Sequence, residues 1–243
     1  MHDLTQRQVQ ILKSLIEEYI ETAEAVGSET LEKKHNLSAS PATIRNEMVR
    51  LTELGYLKKT HTSAGRIPTP NGMTFYVKQL MKEKELSVAE EVSLKEKVWD
   101  YRKKEQQFMK QMTKSLAEKT KALAIATTDE GDFYCSGYGN ILDMPEFFDI
   151  DITKNLFEVI DEFEYLDSIY SNALDEEDVH VVLGDDLGPR LLGNYGFVFT
   201  KYHTPKATGE IGVLGPVRLN YTNIVPTVRF IGTLVEEIAK DWE

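Results

Sequence analysis

Three features of the sequence predict an α+β fold. Up to about residue 84, short blocks of helical apolar periodicity lead into a strand–turn–strand stretch. Residues 85–121 are charge-rich and contain neither glycine nor proline, which predicts a linking helix. From residue 122 on, apolar strand-like runs mix with amphipathic helical ones, which predicts a compact C-terminal α/β domain spanning 122–243.

The first helix has a readable start. Thr5 and Gln8 form a T-x-x-Q capping box, with Leu4 and Val9 placed as a hydrophobic staple. Ile11, Leu12, Leu15, Ile16, Tyr19 and Ile20 give it a wide apolar face, and it runs to about Thr22. Ser28, directly after Gly27, is placed to cap a second helix that turns Leu31 inward and ends near His35. Ser40 caps a third, with Pro41 at the first helical position, where a missing N–H costs nothing.

In that third helix Ile44, Met48 and Leu51 form the inward face. Ala42, Thr43, Arg45, Asn46, Val49 and Arg50 form the outward one, and no acid is among those six. Such a face suits the major groove of DNA: Arg pairs with guanine edges, Asn with adenine, and Thr or Ala with the thymine methyl. On this stretch alone an ordinary surface helix is the alternative. Arg45 also has the option of pairing with an acid on the first helix.

Gly55 is placed to stop the helix. Tyr56 to Thr60, a turn at Ser63 to Gly65, and Arg66 to Pro68 then make a β-hairpin, with Lys58, Lys59, His61 and Arg66 near its tip. A helix-turn-helix followed by a basic hairpin is a winged helix, expected over 1–84. Its wing sets cations and small donors (Lys58, Lys59, Thr62, Ser63, Arg66) on the DNA backbone or in the minor groove. Ser28 and Ser40 are candidates for phosphate at helix N-termini. Thr69-Pro70 restarts a helix, with Phe75, Tyr76, Val77, Leu80 and Met81 supplying apolar surface.

The net charge of −12 argues against nucleic acid only until it is divided along the chain. Residues 31–81 hold 8 Lys+Arg against 3 Asp+Glu, whereas residues 122–243 hold 7 against 23. A local basic patch is what meets phosphate, and the acidic half leaves only the basic face able to dock. No apolar run is long enough for a membrane span, and the N-terminus lacks the apolar core of a signal peptide, so a cytoplasmic, nucleoid-associated location is expected. Cys135 is the one cysteine, which excludes an intrachain disulfide and a multi-cysteine zinc site, and burial suits it better than nucleophilic chemistry. The five histidines have no metal-ligand spacing, and His180 within an apolar strand reads as packed. Asp185-Asp186 can cap a helix as readily as bind a cation, and Gly209 to Pro216 lacks the Lys-Ser/Thr of a phosphate loop. No catalytic constellation, metal site or cofactor is expected.

Leu4-Thr-Gln-Arg-Gln8, Val26-Gly-Ser28, Ser40-Pro-Ala-Thr-Ile-Arg-Asn-Glu-Met48, Leu54-Gly55 and His61-Thr-Ser-Ala-Gly-Arg66 followed by Pro68-Thr69 resemble the HrcA family of bacterial heat-inducible transcription repressors. The resemblance covers residues 4–81 almost without a gap. It implies sequence-specific repression of heat-shock chaperone genes, binding as a homodimer to an inverted-repeat operator called CIRCE, and assistance from the GroE chaperonin in reaching the active form. A ligand-sensing winged-helix regulator of another regulon is the alternative.

In residues 85–121, Leu94, Val98, Tyr101, Phe108 and Met112 follow a 4-3-7-4 spacing near a heptad seam, interrupted by Glu105. A dimerisation helix and a helix packed on its own chain are both open. Beyond it, Ala122 to Thr127 leads into a strand, Gly131 to Gly139 reads as turn, and Pro145 to about Leu174 as helices closed by the acidic turn from Asp175 to Asp178. Val179–Leu183, Gly196–Thr200 and Gly209–Gly215 read as strands, and Ile224 to Ile238 as a final amphipathic helix with Pro226 near its start. Asn140-Ile-Leu-Asp-Met-Pro-Glu-Phe147, Gly212-Val-Leu-Gly-Pro-Val-Arg218, Tyr221 and Val225-Pro226 resemble the family's GAF-like domain. HrcA proteins generally carry a long insertion with a dimerisation domain before the Asn140 motif. Here about a dozen residues separate Thr127 from Asn140, so the resemblance implies a short form with a reduced GAF-like regulatory domain, whose dimer contact falls to the 85–121 helix or to that domain.

Overall fold

The computed structural model describes residues 4–35, 37–60, 65–173, 177–191, 195–240 and 242. They divide into two compact units, up to Lys82 and from Glu83.

In the first unit, α1 (Gln6–Thr22) starts at the expected capping box, with both reciprocal bonds present. α2 (Ser28–His35) begins with Ser28 itself; the Gly27 carbonyl accepts the Leu31 N–H at 3.2 Å, so Ser28 is not the cap that its residue type suggested. α3 (Pro41–Glu53) has Ser40 as its cap, the hydroxyl accepting the Thr43 N–H at 3.3 Å. Its end is a Schellman motif. The Tyr56 N–H reaches Leu51 O and the Gly55 N–H reaches Thr52 O, with Gly55 at φ +80°. β1 (Leu57–Lys59) and β2 (Arg66–Pro68) pair antiparallel. α4 (Pro70–Phe75) follows from a Thr69 cap and passes into one π-helical turn, Tyr76–Leu80. Gly72 is required here, since a Cβ at this position would lie 2.2 Å from the Tyr56 carbonyl oxygen. Ile11, Leu12, Leu15, Ile16, Leu31, Ile44, Leu51 and Met73 form the core.

The second unit begins with two helices where one was expected: α5 (Val88–Trp99) and α6 (Glu105–Thr120). The break has identifiable causes. Arg102 stacks on the Trp99 ring and donates to its carbonyl at 2.6 Å, which closes the helix end. The Trp242 indole donates to the Arg102 carbonyl at 2.7 Å, and its ring meets Phe108 edge-on. Leu94, Val98, Phe108 and Met112 are buried within this unit, so the heptad-like spacing recorded packing on the chain itself, and Tyr101 lies in the break, partly exposed.

The sheet contains β3 (Leu123–Thr128), β4 (Phe133–Ser136), β5 (His180–Leu183), β6 (Tyr195–His203) and β7 (Thr208–Pro216) in the order β4-β3-β7-β6-β5, antiparallel throughout. β4 lies in the stretch expected to be turn, between Gly131 and Gly137, both at positive φ. His203 is the last residue of β6. Both faces of β3 are covered. Leu123 and Ile125 face α8 (Ile150–Ile160) and α9 (Phe163–Asn172), while the small Ala124 and Ala126 let α6 approach the other side. α10 (Tyr221–Ala239) packs on β6 and contains Pro226 in its second turn; the Thr222 carbonyl, to which a residue with an N–H at 226 would donate, accepts the Lys84 N–H at 2.9 Å instead.

Two of the family-like strings meet through one ion pair. Before α8, the short α7 (Tyr138–Leu142) carries Asn140, whose amide donates to the carbonyls of Ala117 and Ala122 at 3.1 and 3.0 Å. Further along, Glu146 takes both ends of the Arg218 guanidinium, Nη2 to Oε2 at 3.0 Å. His180 is buried and stacked on Phe199, and burial pushes the Cys135 thiol up to about 11. Among the described residues no group of acids, histidines and cysteine could hold a metal, and no helix is long and apolar enough to cross a membrane.

Candidate nucleic-acid interface

The geometry of α3 follows from its apolar spacing. Ile44, Met48 and Leu51 are sunk into the first unit, which turns Ala42, Arg45, Asn46, Val49 and Arg50 outward, with Thr43 half-buried at the rim. Arg45 makes no ion pair among the described residues, so the pairing with a first-helix acid is not formed. Arg50 approaches the buried Glu47 at 3.7 Å but keeps most of its side chain in solvent. The Ser40 hydroxyl is engaged by Thr43, through both its N–H and its Oγ1, and serves the helix start.

Two buried acids hold this helix and its neighbours in register. Glu47 accepts the Gln8 side-chain amide at 3.1 Å, and Gln8 also closes the α1 capping box through its oxygen. One glutamine thereby ties α3 to the start of α1. Glu18 of α1 accepts Lys34 Nζ at 2.6 Å and His35 Nε2 at 3.2 Å, which fixes α2. The hydrogen bond from Lys34 leads in holding the Glu18 carboxyl below its ordinary value, against the effect of burial. Sequence reading missed both acids and saw Gln8 only as a capping residue. Acids at helix positions that periodicity turns inward, with cations on the facing helix, are the signal that would have found them.

Lys58 and Lys59 are exposed, but adjacent positions of a strand point to opposite faces. Lys59 lies across from Arg66, and Lys58 across from Ile67. Arg66 is engaged inward. Its Nε donates to Thr52 Oγ1 of α3 at 3.1 Å, and its backbone exchanges two 2.9 Å bonds with Val26. It therefore clamps the wing base to α3 and to the turn before α2. Ser28, Arg45 and Arg66 converge on one cavity of about 280 Å³, with Gly27, Glu29 and Thr30. Thr62 and Ser63, with His61, lie outside the described residues.

Comparison with known proteins agrees with this geometry. The family model for the winged helix-turn-helix transcription repressor HrcA DNA-binding domain matches residues 3–81, and that for the HrcA protein C-terminal domain matches 70–225. A heat-inducible transcription repressor HrcA from Thermomicrobium roseum is 26% identical, over 98% of this chain and 96% of its own length. That alignment runs over 337 positions against a chain of 243 residues, so the relative carries a long segment with no counterpart here. The HrcA of Acetivibrio thermocellus is 46% identical over 127 residues, which is 52% of this chain and 36% of that protein. A solved structure of a protein described as hypothetical superposes with a TM-score of 0.75 at 18% identity, covering 97% of each chain, and shows the same fold. With a winged helix that exposes Arg45, Asn46 and Arg50, and with family models covering both units, the chain belongs to the HrcA family of transcription repressors.

Proposed function

We propose that this chain represses heat-shock chaperone genes by occupying a CIRCE-type inverted-repeat operator as a homodimer. α3 enters the major groove, where Thr43, Arg45, Asn46 and Arg50 read bases or grip the adjacent phosphates. Ser28 and Ser40 stand at helix starts beside the backbone, and Lys58, Lys59, Thr62, Ser63 and Arg66 serve the wing. The observation that carries this reading is the outward face of α3, whose Arg45 and Asn46 point away from the core. The relatives' designation as heat-inducible repressors supports the choice of regulon. GroE is the proposed partner that maintains the active form in the cytoplasm. Genome-wide mapping of bound sites tests the reading: enrichment upstream of chaperone operons is expected, and binding confined to unrelated promoters would overturn it.

A further inference from the structure

We propose that the open edge of β4 is where two copies of this chain join, as one continuous sheet across a two-fold axis. This rests on the homodimer proposed above and names its contact.

The phase of the β3–β4 ladder is fixed by two bonds. The Thr128 N–H reaches Asp132 O at 3.0 Å, toward β4, and the Asp129 N–H reaches Thr208 O at 2.9 Å, toward β7. Alternation then makes Ala126 with Tyr134 and Ala124 with Ser136 the bonded pairs. The N–H and C=O groups of Phe133 and Cys135 therefore point away from β3. Among the described residues no backbone group bonds to them. The edge sequence Phe-Tyr-Cys-Ser carries no charge and no proline, the usual devices that keep such an edge from pairing. Phe133 is partly exposed, and Tyr138 and Leu142 stand exposed just beyond the strand.

This edge is complementary to itself. With a two-fold axis at Tyr134, Phe133 exchanges both backbone bonds with Cys135 of the second copy, and the reciprocal pair repeats them. The two Tyr134 rings face each other across the axis. Asp132 falls opposite Ser136 of the second copy, so the two acidic turns holding Asp129, Glu130 and Asp132 lie about 14 Å apart along the ladder. That exceeds the screening length of about 8 Å at physiological salt, so the acids do not oppose the contact.

Sedimentation of the full-length chain tests this, together with two variants. Phe133→Pro removes an outward N–H while leaving the bonds to β3 intact; a shift from dimer to monomer with an unchanged circular dichroism spectrum is expected. Tyr134→Cys in a Cys135→Ser background sets two thiols on directly opposed positions, about 4.5 Å apart at Cα, and an interchain disulfide is expected on oxidation. With a dimeric wild type, absence of that disulfide in the Tyr134→Cys variant, or a Phe133→Pro variant that stays dimeric, overturns edge pairing alone. A wild type that sediments as a monomer overturns the homodimer as well.

Discussion

Asn46 and Lys59 are both exposed cation or amide positions of the first unit, and the proposed docking gives them different work on DNA. An amide on α3 reads a base edge, so Asn46→Ala should cost about 1–3 kcal/mol at the cognate operator and relax discrimination. Operator titration by fluorescence anisotropy checks this, and unchanged affinity would mean that α3 is oriented otherwise. A wing lysine meets phosphate, so Lys59→Ala should weaken cognate and random duplexes alike and lower the salt slope by about one. A loss confined to the cognate site would sink that assignment. The outward set of α3 was legible in the sequence because the period of three and four residues fixes which side chains face in. Arg66 was less so: strand pattern placed it in the hairpin, but its bond to Thr52 joins residues fourteen apart and leaves no mark on local periodicity.

At the scale of elements, every cap and stop but the one at Ser28 was read directly, because Thr5, Ser40, Thr69 and Gly55 act on backbone groups within a few positions of themselves. The break between α5 and α6 was not, since Trp242, which helps hold it, lies at the other end of the chain. β4 escaped for a different reason, being four residues long and flanked by turn glycines. The α1–α2 contact yields a pH dependence. The Lys34 hydrogen bond holds the Glu18 carboxyl below the ordinary glutamate range, so it adds stability above that range and loses it as pH falls through the lowered pKa. Glu18→Gln should destabilise the first unit by about 1–2 kcal/mol near neutrality and flatten the decline of stability below pH 4.5. Denaturant unfolding at several pH values measures both, and an equally steep acid decline in the variant would remove Glu18 as its source.

Across the whole molecule, charge is divided: the basic stretch at 31–81 adjoins a chain that is strongly acidic from 122 on. The second unit shares a sheet covered on both faces with an Asn140 tether and a Glu146–Arg218 pair, contacts made between distant stretches and lost together when it opens. Heating should therefore abolish operator binding over a narrow range that coincides with unfolding of residues 83–243, followed by anisotropy and circular dichroism in parallel. Binding that outlasts that transition would exclude heat control through this unit. In the first unit, Arg66 joins the turn at Val26, α3 at Thr52 and the base of the wing. Three parts with one shared joint behave as a single rigid reader. Such a reader has no internal hinge through which the wing base could let go while α3 stays seated. Under the proposed docking, the wing base and α3 then leave DNA together, as one event.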